Sequence, residues 1–253
     1  MATNSEKWIR SYHPAPAAPT RLVCFPHAGG SATFYHPVSR ALSPEIDVVA
    51  VQYPGRQDRR TEPLVDTIEE LADLVAEELK PWADRPLTFF GHSMGASLAY
   101  EVALRLEAGG TPLLGLFASG RRAPSRWRDE QVHQAGDEEF LAELRNLSGT
   151  DPAVLGDEEL LRMILPAVRG DYRAAEIYRP EPGRRVSCPV VVMFGKDDPK
   201  VTEDEARSWA EHTTEDTTVR SFDGGHFYLN SHVPQVLQEI RRFVAERGAV
   251  ASK

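Results

Sequence analysis

The 253-residue chain is long enough for one large domain, and with 41% hydrophobic and 26% charged residues it can bury a core, which excludes a fibre or a disordered tail. Its 38 acidic against 29 basic residues leave a net charge of −9, a surface that repels phosphate backbones, so no nucleic-acid partner is expected. No apolar run approaches the roughly 20 residues that span a bilayer, and the first residues lack the apolar stretch of a secretory signal, so no membrane and a cytoplasmic location are expected.

Residues 1–19 read as a leader. Pro14 to Pro19 is too rich in proline for a helix or an inner strand, and a single domain is expected from Thr20 to about residue 250. From there, short runs rich in Val, Leu and Phe predict strands at Arg21–Phe25, Asp47–Gln52, Leu87–Phe90, Leu113–Ser119, Pro189–Phe194 and Thr217–Phe222. Helical spacing of apolar residues falls between and after them, over Asp66–Lys80 and Pro234–Arg247. This alternation predicts an α/β fold with a mostly parallel central sheet and helices on both faces. It fails over residues 121–185, where two helical patterns, about Asp137–Leu147 and Asp157–Ile177, replace any strand and mark an insertion. Cys24 and Cys188 sit in or beside apolar runs and read as buried thiols, with no disulfide, metal or cofactor expected.

The chemistry starts at Gly91-His92-Ser93-Met94-Gly95, which follows a predicted strand and opens a predicted helix. A serine hydroxyl is a weak nucleophile unless a tight turn lifts it beside a base, and Gly-x-Ser-x-Gly between strand and helix makes that turn. Of the eight histidines, His226 is the best placed base, on the loop Asp223-Gly-Gly-His226 between the last strand and the final helix. His92 adjoins the serine and reads as structural, while His27 lies in a glycine-rich loop where it would line the pocket. The remaining five histidines carry no comparable context. An imidazole base needs an anion to fix its tautomer, and Asp197 and Asp198 both follow the strand that ends near Phe194. Pro199 stiffens the turn directly after Asp198, which favours Asp198 and leaves Asp197 to solvent. The order Ser93, Asp198, His226 is that of α/β-hydrolases. The Met94 amide supplies one donor to an oxyanion, and the loop Phe25-Pro-His-Ala-Gly-Gly30 is the source expected for the second.

Four strings together, Phe25–Gly30, Gln52-Tyr-Pro-Gly-Arg56, Gly91–Ala96 and Gly224-Gly-His226-Phe-Tyr-Leu229, resemble the type II thioesterases that work beside polyketide synthases and nonribosomal peptide synthetases. The resemblance runs from about Leu22 to Phe243. It implies an α/β-hydrolase fold with Ser93, Asp198 and His226 as the triad, and the amides of Ala28 and Met94 as the oxyanion hole. It also implies that the insertion is a helical lid, within which Arg169-Gly-Asp171-Tyr172 and Tyr178 look like the family's pattern. Ser97 departs from the family, standing where many relatives carry an apolar residue. The implied partner is an acyl or peptidyl carrier protein bearing an acyl-phosphopantetheine arm, from which a monomeric enzyme without cofactor or metal clears stalled or aberrant acyl groups. Arg121, Arg122, Arg126 and Arg128 offer a basic patch for an acidic carrier, against the plainer reading of a solvated face. A general carboxylesterase or lipase shares the triad, but the strings outside it count against that reading. A noncatalytic carrier-binding protein would not need an intact Ser, His and Asp set.

Overall fold

The structure is a computed structural model that describes residues 4–147 and 157–251. Residues 148–156 of the expected lid and residues 1–3 of the expected leader lie outside the described residues. Seven strands form one sheet: β1 (Ile9–Ser11), β2 (Arg21–Phe25), β3 (Asp47–Val51), β4 (Leu87–His92), β5 (Leu113–Ser119), β6 (Val190–Gly195) and β7 (Thr217–Phe222). Their spatial order is β1-β3-β2-β4-β5-β6-β7, and every pair is parallel except β1 with β3. All six strands read from the sequence are present, each within two residues of the expected ends. Residues 9–11, within the stretch expected to be a leader, add the seventh, with Ile9 opposite Val51 and Ser11 opposite Val49.

Alternation along the strands sends side chains to two separate cores. Val23 and Phe25 of β2 and Val49 and Val51 of β3 join one, under α3 (Ile68–Leu79) and α4 (Met94–Ala108). Leu22, Cys24, Val48 and Ala50 join the other, under α2 (His36–Leu42) and α8 (Val233–Ala251). The central strands are therefore covered on both faces, which is why they read as unbroken apolar runs. Cys24 and Cys188 are buried free thiols within these cores. A short α1 (Asn4–Trp8) precedes β1, and α7 (Glu203–Arg207), opened by a Thr202–Glu205 capping box, lies between β6 and β7.

The insertion carries α5 (Asp137–Leu147) and α6 (Glu158–Ile177), matching both helical patterns. Asp157 caps α6 by accepting from the amides of Glu159 and Leu160 at 2.9 and 3.1 Å. The two helices share a small core of their own, Phe140, Leu144 and Val168. Arg173 joins them to the body by pairing with Asp66 at 2.8 Å, and Arg121, at the start of the insertion, donates to the Ala175 carbonyl at 2.8 Å.

Candidate active site

The C-terminal ends of β2, β4, β6 and β7 converge on one side of the sheet, where an α/β sheet places its loops for chemistry. Between β4 and α4, Ser93 adopts φ 54° and ψ −121°, a region that costs an L-residue energy and that the surrounding packing has to impose. Gly95 allows it: a Cβ there would stand 2.1 Å from the Phe25 carbonyl oxygen, so only glycine lets the start of α4 lie this close to β2. The strained turn brings the serine hydroxyl to His226, whose Nε2 lies 3.0 Å from Ser93 Oγ.

The other imidazole nitrogen, His226 Nδ1, lies 2.9 and 3.0 Å from the two carboxylate oxygens of Asp198. Asp198 Oδ1 also accepts the Lys200 amide at 2.8 Å, which orients the carboxylate. Asp198 is buried while Asp197 is exposed, as the sequence reading anticipated. The reason lies in how two turns interlock. The Asp197 amide donates to the Gly224 carbonyl at 3.0 Å, and a Cβ on Gly195 would meet the Gly225 carbonyl at 2.2 Å. Asp197 thus brackets the histidine loop with its backbone, and the next residue turns its side chain inward to the ring.

Beneath His226 lie two further imidazoles held neutral. Burial, then the positions of His226 and Arg56, lowers His27 to about 3, and burial with His226 and His27 nearby lowers His92 well below its ordinary value. The His92 ring centroid is 5.1 Å from that of His226, and its Nδ1 lies 2.9 Å from Ser119 Oγ, which in turn is 2.7 Å from the Tyr228 hydroxyl. His92 is fully buried and does not line the cavity over Ser93. His27 lines the cavity over Ser93 together with Ala28, Phe227 and the lid residues Leu144, Leu147 and Tyr172. That cavity measures only about 20 Å³, room for roughly one water molecule.

Ala28 and Ser93 therefore face the same space, and Met94 opens α4, where its amide has no intrahelical acceptor. The loop that carries Ala28 is fastened by residues to which the sequence gave no such role. The Tyr35 hydroxyl donates to the Phe25 carbonyl and the Tyr53 hydroxyl to the Pro26 carbonyl, both at 3.0 Å. Gln52 accepts the Ala32 amide at 3.0 Å, and Arg56 forks onto Asp171 of the lid at 2.6 and 2.9 Å. The strings holding Arg56 and Asp171 both stand out in the sequence, but no spacing pattern pairs residues 115 positions apart.

The proposed basic patch is a correction. Arg122 is buried against Glu130, Arg128 forks onto Glu205, and Arg126 pairs with Glu211. Arg121 donates to Ser97 Oγ at 3.0 Å, which gives that polar departure from the family a partner. All four guanidinium groups have partners within the chain, Arg122 buried and Arg126 and Arg128 partly exposed, and they hold the start of the insertion to the body.

A family model for the thioesterase domain matches residues 20–244. The chain belongs to the type II thioesterase family. It is 48% identical over 252 residues to thioesterase PikA5 of Streptomyces venezuelae, covering 98% of this chain and 90% of that protein. It is 55% identical over 234 residues to a probable cadicidin biosynthesis thioesterase of Streptomyces griseus, covering 92% of this chain but 65% of that longer relative. Among solved structures, the type II thioesterase BorB from the borrelidin biosynthetic cluster superposes with a TM-score of 0.89 at 53% identity, covering 96% of this chain and all of the other. RedJ, from the prodiginine pathway of Streptomyces coelicolor, superposes with a TM-score of 0.85 at 38% identity, covering 92% and 89%. The sheet described above is accordingly an α/β-hydrolase sheet. No helix among the described residues is long and apolar enough to cross a membrane.

Proposed function

We propose that the chain hydrolyses acyl thioesters carried on the phosphopantetheine arm of acyl or peptidyl carrier proteins, removing stalled or aberrant acyl groups in polyketide or nonribosomal peptide assembly. The observation that carries this reading is the hydrogen-bonded line from Ser93 Oγ through the His226 ring to Asp198, with every link at 3.0 Å or less. Ser93 Oγ attacks the thioester carbonyl as His226 Nε2 takes its proton, while Asp198 holds Nδ1–H and stabilises the imidazolium. The amides of Ala28 and Met94 receive the negative charge that develops on the carbonyl oxygen. His226 then protonates the departing pantetheine thiol, leaving an acyl-Ser93 ester. Water, deprotonated by the same nitrogen, attacks that ester and frees the acid and the serine. The chain needs no metal or cofactor for these steps, acts as a monomer, and works in the cytoplasm where loaded carriers are made.

With α5 and α6 in this position, a cavity of about 20 Å³ cannot admit a pantetheine arm, so turnover requires the lid to move. The test compares acyl-loaded carrier proteins and acyl-pantetheine thioesters with simple oxygen esters, using wild type and Ser93→Ala. Preference for the thioesters, and a loss of about 10⁴-fold or more in Ser93→Ala with an unchanged melting temperature, are expected. Preference for oxygen esters favours a general carboxylesterase, and undiminished hydrolysis by Ser93→Ala removes the serine from the mechanism.

A further inference from the structure

We propose that Asp171 of the lid helix, paired with Arg56, is a positioning residue for the oxyanion hole: it fixes the backbone turn that presents the Ala28 amide. The inference rests on the reading of Ser93 and Ala28 given above and assigns a role to two residues outside the triad.

The turn runs from His27 to Gly30. The Gly30 amide returns to the His27 carbonyl at 2.9 Å, and Gly29, third in the turn, has φ 77°, the pattern of a type II turn. Such a turn can rotate the peptide plane between its two central residues, here Ala28 and Gly29, and glycine at the third position leaves both orientations open. Asp171 Oδ2 accepts the Gly29 amide at 2.7 Å and so holds that plane in one of them. The acceptor is a carboxylate, which makes the bond stronger than one between neutral partners. The Ala28 N–H lies on the preceding peptide, which that rotation does not itself turn, so Asp171 acts on it by anchoring the whole turn to α6.

A lone carboxylate in this place would be costly. The Asp171 side chain is only 3% exposed, and burying an unpaired charge is strongly unfavourable. Arg56, itself 9% exposed, meets it with a two-bond fork, lies over the Tyr53 ring at 5.1 Å, and reaches the Gly30 carbonyl at 3.4 Å. The pair therefore grips both the amide of Gly29 and the carbonyl of Gly30. The other fastenings of this loop, from Tyr35 and Tyr53, come from the body of the protein, whereas Asp171 belongs to α6. Val168 of the same helix also sits against the turn, 3.0 Å from where a Gly29 Cβ would lie. Formation of the oxyanion hole is thereby tied to the position of the lid, so a lid displaced for substrate entry must return before the carbonyl is fully activated.

The test uses Asp171→Ala, which removes the acceptor, and Asp171→Asn, which keeps one. Each is assayed on an acyl-pantetheine thioester and titrated with an acyl trifluoromethyl ketone, which forms a tetrahedral oxyanion on Ser93. Loss of one oxyanion donor costs about 10²–10³ in rate, so misplacing one through Asp171→Ala should cost about 10- to 100-fold. The loss should fall on kcat with KM changed less than about two-fold, Asp171→Asn should lie between wild type and Asp171→Ala, and affinity for the ketone should fall in step with kcat. A loss confined to KM with ketone affinity unchanged would make the pair a plain lid fastening and overturn the proposal. Should Asp171→Ala not fold, amide exchange of Gly29 in the wild type decides: slow exchange supports the bond to Asp171, fast exchange refutes it. Ser93→Ala separates the two levels, since activity retained there defeats the mechanism itself, whereas an inactive Ser93→Ala beside a fully active Asp171→Ala defeats this inference alone.

Discussion

The floor and the roof of the active site are built by different means. Ser93, Asp198 and His226 stand on turns at the ends of β4, β6 and β7, and what fixes them is local: a positive-φ serine and glycines that allow backbone to touch backbone. The roof, α5 and α6, has among the described residues a cluster of its own with three buried residues, and it joins the body through Ala174 in the main core and through long-range charged pairs such as Arg56–Asp171 and Arg173–Asp66. The role proposed for Ser93 needs its hydroxyl held within tenths of an ångström, and close-packed backbone does this with little freedom to relax. A cover proposed to open for a long flexible arm is better held by contacts that can part and re-form.

The sharpest test of the floor is at the acid. Asp198→Asn leaves the turn in place but offers His226 Nδ1 an amide, and a loss of about 10⁴-fold in kcat is expected. Asp197→Asn, whose exposed side chain plays no part in the backbone bracket, should retain nearly full activity. Comparable rates for the two variants would reverse the assignment. Next in size is a pair of cavity mutations. Phe89 and Phe140 are both fully buried, one between β4 and the α3–α4 layer and the other in the lid. Phe89→Ala should lower global stability to denaturant by about 3–5 kcal/mol. Phe140→Ala should shift it by less than about 1 kcal/mol and instead make the lid open to limited proteolysis, since a satellite cluster can loosen by itself. An equal global loss would show that floor and roof unfold as one unit.

The smallest effect concerns acid. His27 near 3, His212 near 4 and His92, all lowered chiefly by burial, are neutral in the folded chain, while an unfolded histidine titrates near 6.5. Between those values the unfolded chain binds more protons, so stability is full above about pH 6.5 and falls as the pH drops toward 4. The melting temperature should follow that course, and His212→Gln, remote from the catalytic line, should flatten it slightly. An unchanged slope would mean that His212 is not held neutral in the fold.

The same division explains what the sequence disclosed. Strands β2 to β6 were legible because burial on both faces writes continuous apolar runs, β7, at the sheet edge and only partly buried, showed through its β-branched residues, and the serine turn was legible because strand, Gly-x-Ser-x-Gly and helix are contiguous. Asp198 could be preferred over Asp197 because a neighbouring proline reports on the turn. The helices of the lid showed through their periodicity, with Asp157 marking the start of α6. How the lid is fastened did not show: Arg56 and Asp171 meet only in space, and the arginines at residues 121–128 read as a surface patch because their carboxylate partners, Glu205 and Glu211 among them, lie up to 85 positions away. Strand β1 escaped notice because three residues are too few to show alternation.

That three-residue strand has a consequence for solubility. β3 is buried along its whole length with apolar side chains on both faces, and without a neighbour on its outer side it would present a bare row of amides and carbonyls to any other chain. Such an edge is a template for intermolecular pairing. By lying antiparallel along β3, Ile9–Ser11 occupies the template with a strand too short, and too soon broken by the prolines after it, to offer a comparable one of its own. Residues 9–11 thus guard this edge of the sheet against self-association.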